Sequence, residues 1–113
     1  MILGSWKTAT IAIAGTLSGA VDLGRDYELL EVIIPTIDSA TIGVRVADTV
    51  AGTYQDLAHT SPTAVGHFVP TTTVGVGGIT ALFRLGGFQH VKILASAAQT
   101  TAAVNFTIRG MNR

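Results

Sequence analysis

Apolar and small polar residues alternate one for one along much of this chain. Ala9, Ile11 and Ile13 alternate with Thr8, Thr10 and Ala12, and Ile42, Val44 and Val46 alternate with Thr41, Gly43 and Arg45. Near the end, Val104, Phe106 and Ile108 alternate with Asn105, Thr107 and Arg109. Successive strand residues face opposite sides of a sheet, so this pattern predicts half-buried strands rich in β-branched and aromatic residues. Residues 27–34 are a more continuous apolar run stopping at Pro35, which predicts a strand buried on both faces. Residues 79–85 and 88–95 are two further candidates, and Gly86-Gly87 between them reads as a two-residue hairpin turn.

Turn residues divide the rest. Gly15, Gly24-Arg25-Asp26, positions 35–39 and 48–52, Ser61-Pro62 and the glycine-rich 75–78 all punctuate the pattern. Residues 61–78 form the longest expected irregular stretch, with one short strand at about 64–69. No window shows a capped helical stripe. Asp26 and Glu28 could open a helix, but the β-branched run 32–34 and Pro35 oppose one. Breaks at about 8–12-residue spacing point to an all-β antiparallel sandwich or barrel of about eight short strands. The 113 residues fit one domain, 1–113, with residues 1–5 read either as an extended arm or as a first edge strand.

Composition narrows the function classes. Hydrophobic residues make up 48% and charged residues 12%, about half the usual charged share near 25%, so disorder is not expected. Burial of part of the surface in a homo-oligomer is one way for so weakly charged a chain to remain soluble; a Thr-, Ser- and Gly-coated sandwich is another. Without cysteine there is no disulfide framework, thiolate zinc or thiol catalysis. No apolar run approaches the ~20 residues of a membrane helix, and Met1–Gly15 lacks the basic start of a signal peptide. A net charge of zero argues against nucleic-acid binding.

The charge is unevenly placed. All seven acids lie at or before Asp56, beside three bases, while the later residues carry only Arg84, Lys92, Arg109 and Arg113. If Arg84, Lys92 and Arg109 share a surface, they could face Asp22, Asp26 or Glu28 of a neighbouring subunit. If strands of the two halves interleave, the charges mix and exposed pairs contribute little.

Candidate chemistry is sparse. His59, His67 and His90 lack the spacing of a converging ligand set and read as solvated or locally bonded, so no metal site is expected. The serines occur without a Gly-x-Ser-x-Gly elbow. Glu28 and Glu31, three apart, would point to opposite faces of a strand and do not form an acid–base pair. The run Gly75-Val76-Gly77-Gly78 lacks the Lys-Ser/Thr end of a phosphate cradle and reads as a loop. Asn105-Phe106-Thr107 matches a glycosylation sequon but falls inside an expected strand. Trp6, Tyr27 and Tyr54 could form a sugar platform, yet they fall on separate strands without shared spacing, and core packing is the ordinary role. No enzyme, cofactor or small-molecule substrate is expected.

Two stretches carry a resemblance. Val21-Asp22-Leu23-Gly24 leads into the apolar run that ends at Pro35. The strand 42–46 is followed by Ala47-Asp48-Thr49-Val50-Ala51-Gly52-Thr53-Tyr54-Gln55-Asp56-Leu57. With the later run 88–96 and the closing alternating strand, these segments resemble small virion proteins of tailed bacteriophages. The likeness spans most of the chain in short motifs. Arg25-Asp26 after the Leu-Gly turn and the threonines at 71–73 depart from it. The resemblance implies a jelly-roll-like β-sandwich serving as a head decoration, or cement, protein. Its expected partner is the major capsid protein, on the capsid exterior of a virion assembled in the bacterial cytoplasm. A neck, tail or head-fibre-base component is the alternative, and a carbohydrate-binding β-sandwich module a further one. Expected contact residues are the apolar Ile2, Leu3 and Trp6 of the first segment and the cations Arg84, Lys92 and Arg109.

Overall fold

A computed structural model describes residues 2–57, 59–60, 67–68 and 72–112. All regular elements among the described residues are strands: β1 (Ile2–Leu3), β2 (Lys7–Ile11), β3 (Val21–Ala47), β4 (Gln55–Asp56), β5 (His59–Thr60), β6 (His67–Phe68), β7 (Thr72–Ala95) and β8 (Val104–Asn112). The fold is therefore all-β and antiparallel, as the alternation predicts. β5 and β6 pair with each other, and the other six strands join in one hydrogen-bonded sheet.

Two very long strands turn that sheet into a sandwich. β3 pairs with β7 first through residues 29–34 against 79–84, and again through 42–47 against 90–95. The first pairing continues through β8 to β2 and β1, and the second continues to β4. Layer one is thus β1/β2, β8, residues 29–34 and residues 79–84. Layer two is β4, residues 42–47, residues 90–95 and the start of β3, where Val21 opposes Val91. Leu30, Val32, Phe83, Phe106 and Ile108 of layer one share a single buried cluster with Ile42, Val44, Val91 and Ile93 of layer two. Both layers must face inward on one core for that to occur.

The crossing between layers is made by paired irregularities. Asp22 opposes His90 and Tyr27 opposes Phe88, so β3 holds three more residues than β7 over that step. Next, Leu29 opposes Arg84, and the extra residues fall on β7 at Gly86-Gly87, with φ of 71° and 101°. Gly24, with φ of 92°, sits in the matching stretch of β3, where its N–H donates to Asp22 Oδ1 at 2.8 Å. Such bulges bend a strand while keeping it paired on both sides.

Several expected boundaries accordingly fall elsewhere. Gly86-Gly87 is a bulge inside β7, since the positive φ that suits a hairpin turn suits a bulge equally well. The glycine-rich 75–78 lies within β7, in register with β3 near Thr36. Pro35 does not end its strand: β3 runs on through it at a register shift, where a missing N–H is tolerated. The run 27–34 is buried on one face only, with Leu30, Val32 and Ile34 inside and Ile33 40% exposed. Ile13 is exposed because β2 stops at Ile11 and the chain turns, with Gly15 N–H donating to the Ala12 carbonyl and Ala14 at φ 67°. Among the described residues the strands are eight, but β3 and β7 hold 27 and 24 residues and are far from short. The expected turn at Ser61-Pro62 and most of the expected strand 64–69 lie outside the described residues; within the latter, His67–Phe68 is a strand.

The first residues lie on the body. Ile2 opposes Asn112 and Leu3 opposes Met111, while Gly4 N–H donates to the Gly110 carbonyl at 2.8 Å. Ile2 and Leu3 form a short edge strand whose side chains remain exposed.

Candidate interaction face

Parity decides what layer one shows to solvent. With Phe83, Phe106, Ile108, Leu30 and Val32 turned inward, the alternate positions Leu82, Thr107, Arg109, Glu31 and Ile33 turn outward. Register aligns them in rows. Arg109 opposes Glu31, which in turn opposes Leu82, and Ile33 lies between Thr107 and Thr80.

Trp6, just before β2, completes the first row. The Arg109 guanidinium carbon stands 4.2 Å from the centre of the Trp6 ring, and Arg109 Nε donates to Glu31 Oε1 at 2.8 Å. The ion pair is about three-quarters shielded on both sides and keeps the guanidinium over the indole ring. Trp6, Ile33 and Leu82 are 43%, 40% and 59% exposed, although large apolar side chains are normally buried. Thr8, Thr10, Thr80 and Asn105 surround them, with Thr10 Oγ1 donating to Asn105 Oδ1 at 2.7 Å. The result is an apolar and aromatic strip with a fixed charge pair and a hydroxyl-rich border.

The other expected contact residues are dispersed. Arg84 is exposed at the margin of layer one, opposite Leu29 and next to the glycine corner. Lys92 belongs to layer two, with its Nζ 4.5 Å from the centre of the Tyr54 ring. Arg84, Lys92 and Arg109 therefore do not form one basic surface: β3, from the acidic half, runs between strands of the basic half and mixes the charges. On layer two Arg45 Nε also bonds Asp56 Oδ1 at 2.9 Å.

Other polar groups are occupied with structure. The Asp38 carboxylate accepts from the hydroxyls and N–H groups of Thr100 and Thr101, which holds its pKa below the usual carboxylate value. Buried Gln99 accepts from Asp38 N–H at 2.8 Å and donates to the carbonyls of Asp38 and Ala97. A small cleft beside Thr36, Ile37 and Val104 is lined by this latch. Asp22 is also held low, first by the Gln89 amide and then by Gly24 N–H. Burial raises the Tyr54 phenol, and the Asp22 charge adds to the effect. Among the described residues no three His, Asp or Glu side chains group as metal ligands, and no helix is long and apolar enough to cross a membrane. The side chains of His59 and His67 lie outside the described residues. His90 Nδ1 is buried without a hydrogen-bond partner among the described residues.

The aromatic residues do not converge. Tyr27 is a core residue whose ring covers Gly110, Tyr54 lies on layer two, and Trp6 is on layer one.

No protein-family profile and no curated relative matches the sequence. Comparison of the fold does find similar structures. The SPBc2 prophage-derived protein YomS aligns over 96% of this chain and 93% of its own, with a TM-score of 0.56 and 18% identity. At that identity the likeness establishes a shared fold. The IMPa metallopeptidase in complex with T-antigen aligns at a TM-score of 0.48 and 14% identity, with this chain spanning only 13% of its length. CsCBM6-3 from Clostridium stercorarium in complex with cellobiose aligns at a TM-score of 0.44 and 14% identity over 87% of that chain.

Of this strip, Trp6 and Arg109 are among the residues expected from the sequence as contacts, whereas Glu31, Ile33 and Leu82 are not. Ile33 and Leu82 each stand between two inward-facing neighbours, so parity alone marks them as apolar residues turned outward. The role of Glu31 depends on β3 lying beside β8, and no local pattern states which strands are neighbours.

Proposed function

We propose that this chain is a non-enzymatic bacteriophage structural protein of the head decoration type, bound on the capsid exterior to the major capsid protein. The observation that carries the reading is the Trp6–Arg109–Glu31 row beside exposed Ile33 and Leu82 on one sandwich layer. Apolar patches with a polar border mark association surfaces, and Trp and Arg are the residues most often responsible for interface affinity. The prophage origin of YomS, similar in fold over nearly the whole length of both chains, supports a phage setting, and the resemblance of the short motifs to tailed-phage virion proteins agrees with it. Docking of this face on a repeating lattice would make many modest contacts act together.

The deciding experiment is the copy number of this protein in purified particles, by quantitative mass spectrometry against the shell protein. About one copy per shell subunit supports decoration, since closed lattices repeat each contact by symmetry. A few copies per particle would place it at the neck or tail, and absence from particles would overturn the virion reading.

A further inference from the structure

We infer that two copies of this chain pair edge to edge through residues 79–85 of β7, antiparallel about a two-fold axis at Leu82, merging their layers one into a continuous sheet. The inference goes beyond the decoration reading and does not depend on it.

The edges of the sandwich differ in how they are protected. β2 is five residues long, begins with Lys7 and is mostly threonine and alanine on its flank. β4 has only two residues, and its Asp56 bonds Arg45. Residues 79–85 are longer and contain no proline, lysine or acid, with Arg84 their only charge. Among the described residues, no strand pairs with their free side: their register partners all lie on β3. Natural sheets blunt such edges with short strands, charges, prolines or bulges, and here the irregularities flank the segment, one before Ile79 and one after Leu85, leaving residues 79–84 regularly paired between them. An unblunted edge of this kind is suited to adding another strand.

Side-chain pattern argues for a second copy as that strand. With the axis at Leu82, antiparallel pairing sets Leu82 against Leu82 of the second copy, and Arg84 against Thr80. The arginines are thus kept off one another, and the 59% exposed leucine meets its own kind. The inward side agrees: Ile79 and Ala81 are only partly buried against the core, unlike Phe83 and Leu85 further along the same strand. A second strand would cover them. Ile33, one strand in, would extend the apolar strip on either side of the joint. A single strand edge lies at the low end of specific interfaces, roughly 1,200 Å² or less, so pairing in solution will depend on concentration.

The absence of cysteine makes the test direct. At the axis the two Leu82 Cα atoms would be about 4.5–5.5 Å apart, inside the disulfide range of about 4.4–6.8 Å. The expected result is that the full chain shifts from one to two chains in mass across a concentration series by light scattering. Leu82→Cys should convert to a covalent dimer under mild oxidation, while Thr8→Cys on the opposite edge should remain monomeric. Leu82→Lys, at an exposed site, should keep the fold by circular dichroism and abolish the doubling. A chain that stays monomeric throughout, or Leu82→Cys that cross-links no faster than Thr8→Cys, would overturn the inference. Particle copy number is read separately, so a failure of the decoration reading leaves this result intact.

Discussion

Tyr27 lays its ring directly over Gly110, leaving no room for a side chain there: a Cβ at position 110 would overlap the ring, and one at Gly4 would press on its hydroxyl. This contact packs the part of β3 that has just turned the corner onto the last turn-free stretch of β8, and Gly4 closes it from the edge. Gly110→Ala is expected to destabilise by about 1–3 kcal/mol, the usual cost of overpacking. Urea unfolding measures it. The penalty should shrink in a Tyr27→Ala background, because the clash is then absent.

The glycine pair of β7 should be similarly intolerant for a different reason. Nothing lies within 4 Å of a Cβ at Gly86 or Gly87, yet both have φ above 70°. Each alanine substitution is expected to cost about 1 kcal/mol or somewhat more through backbone strain alone. Serine or alanine at these positions leaving the thermal midpoint unchanged would show that the corner does not need that conformation.

The Asp38–Gln99 latch ties the middle of β3 to the segment between β7 and β8. Gln99→Leu should lose about 1–3 kcal/mol, since the Asp38 N–H and carbonyl are left without their amide partner. The loss is read as a shift in the urea midpoint at unchanged slope.

Asp38 also makes an acid-dependent prediction. Its folded pKa is depressed, so its contribution is present above the unfolded value of about 3.9 and is lost as pH falls through the folded value. Asp38→Asn should therefore lower the melting temperature at neutral pH, and the gap to the parent protein should narrow below about pH 4. Parallel curves across that range would mean that the carboxylate charge contributes nothing. Asp22, held low by the Gln89 amide and the Gly24 N–H, should act with the same sign.

Trp6→Ala and Arg109→Ala should separate binding from folding. The stacking contact itself contributes only about 0.5–1 kcal/mol to stability, and Arg109→Ala additionally breaks the shielded pair with Glu31, so circular dichroism confirms that each variant is folded before binding is read. Binding to particles should fall sharply for both and for Ile33→Ser, while Lys92→Ala on the other layer should bind normally. Equal binding by all four variants would remove this face from the account.

Much of the architecture was legible one strand at a time. Ala9 and Ile11, then Ile42, Val44 and Val46, then Val104, Phe106 and Ile108, all point inward as their alternation requires. The boundaries were less legible, and Gly86-Gly87 shows why. A left-handed glycine pair permits a turn or a bulge, and only the continued pairing of Phe88 with Tyr27 selects the bulge. Pro35 is the same kind of case, since a missing N–H ends a strand only where a partner needs that donor.

The sequence by itself determined that this protein is built of strands with one apolar face each, because side-chain alternation is a local property of extended backbone. It also put Arg109 on the face of its strand opposite Val104, Phe106 and Ile108. Tertiary structure decided which strands became neighbours, and hence that Arg109 bonds Glu31, 78 positions away, instead of an acid on another chain. Register between distant strands depends on the core they jointly enclose, and no residue carries that information within its own segment.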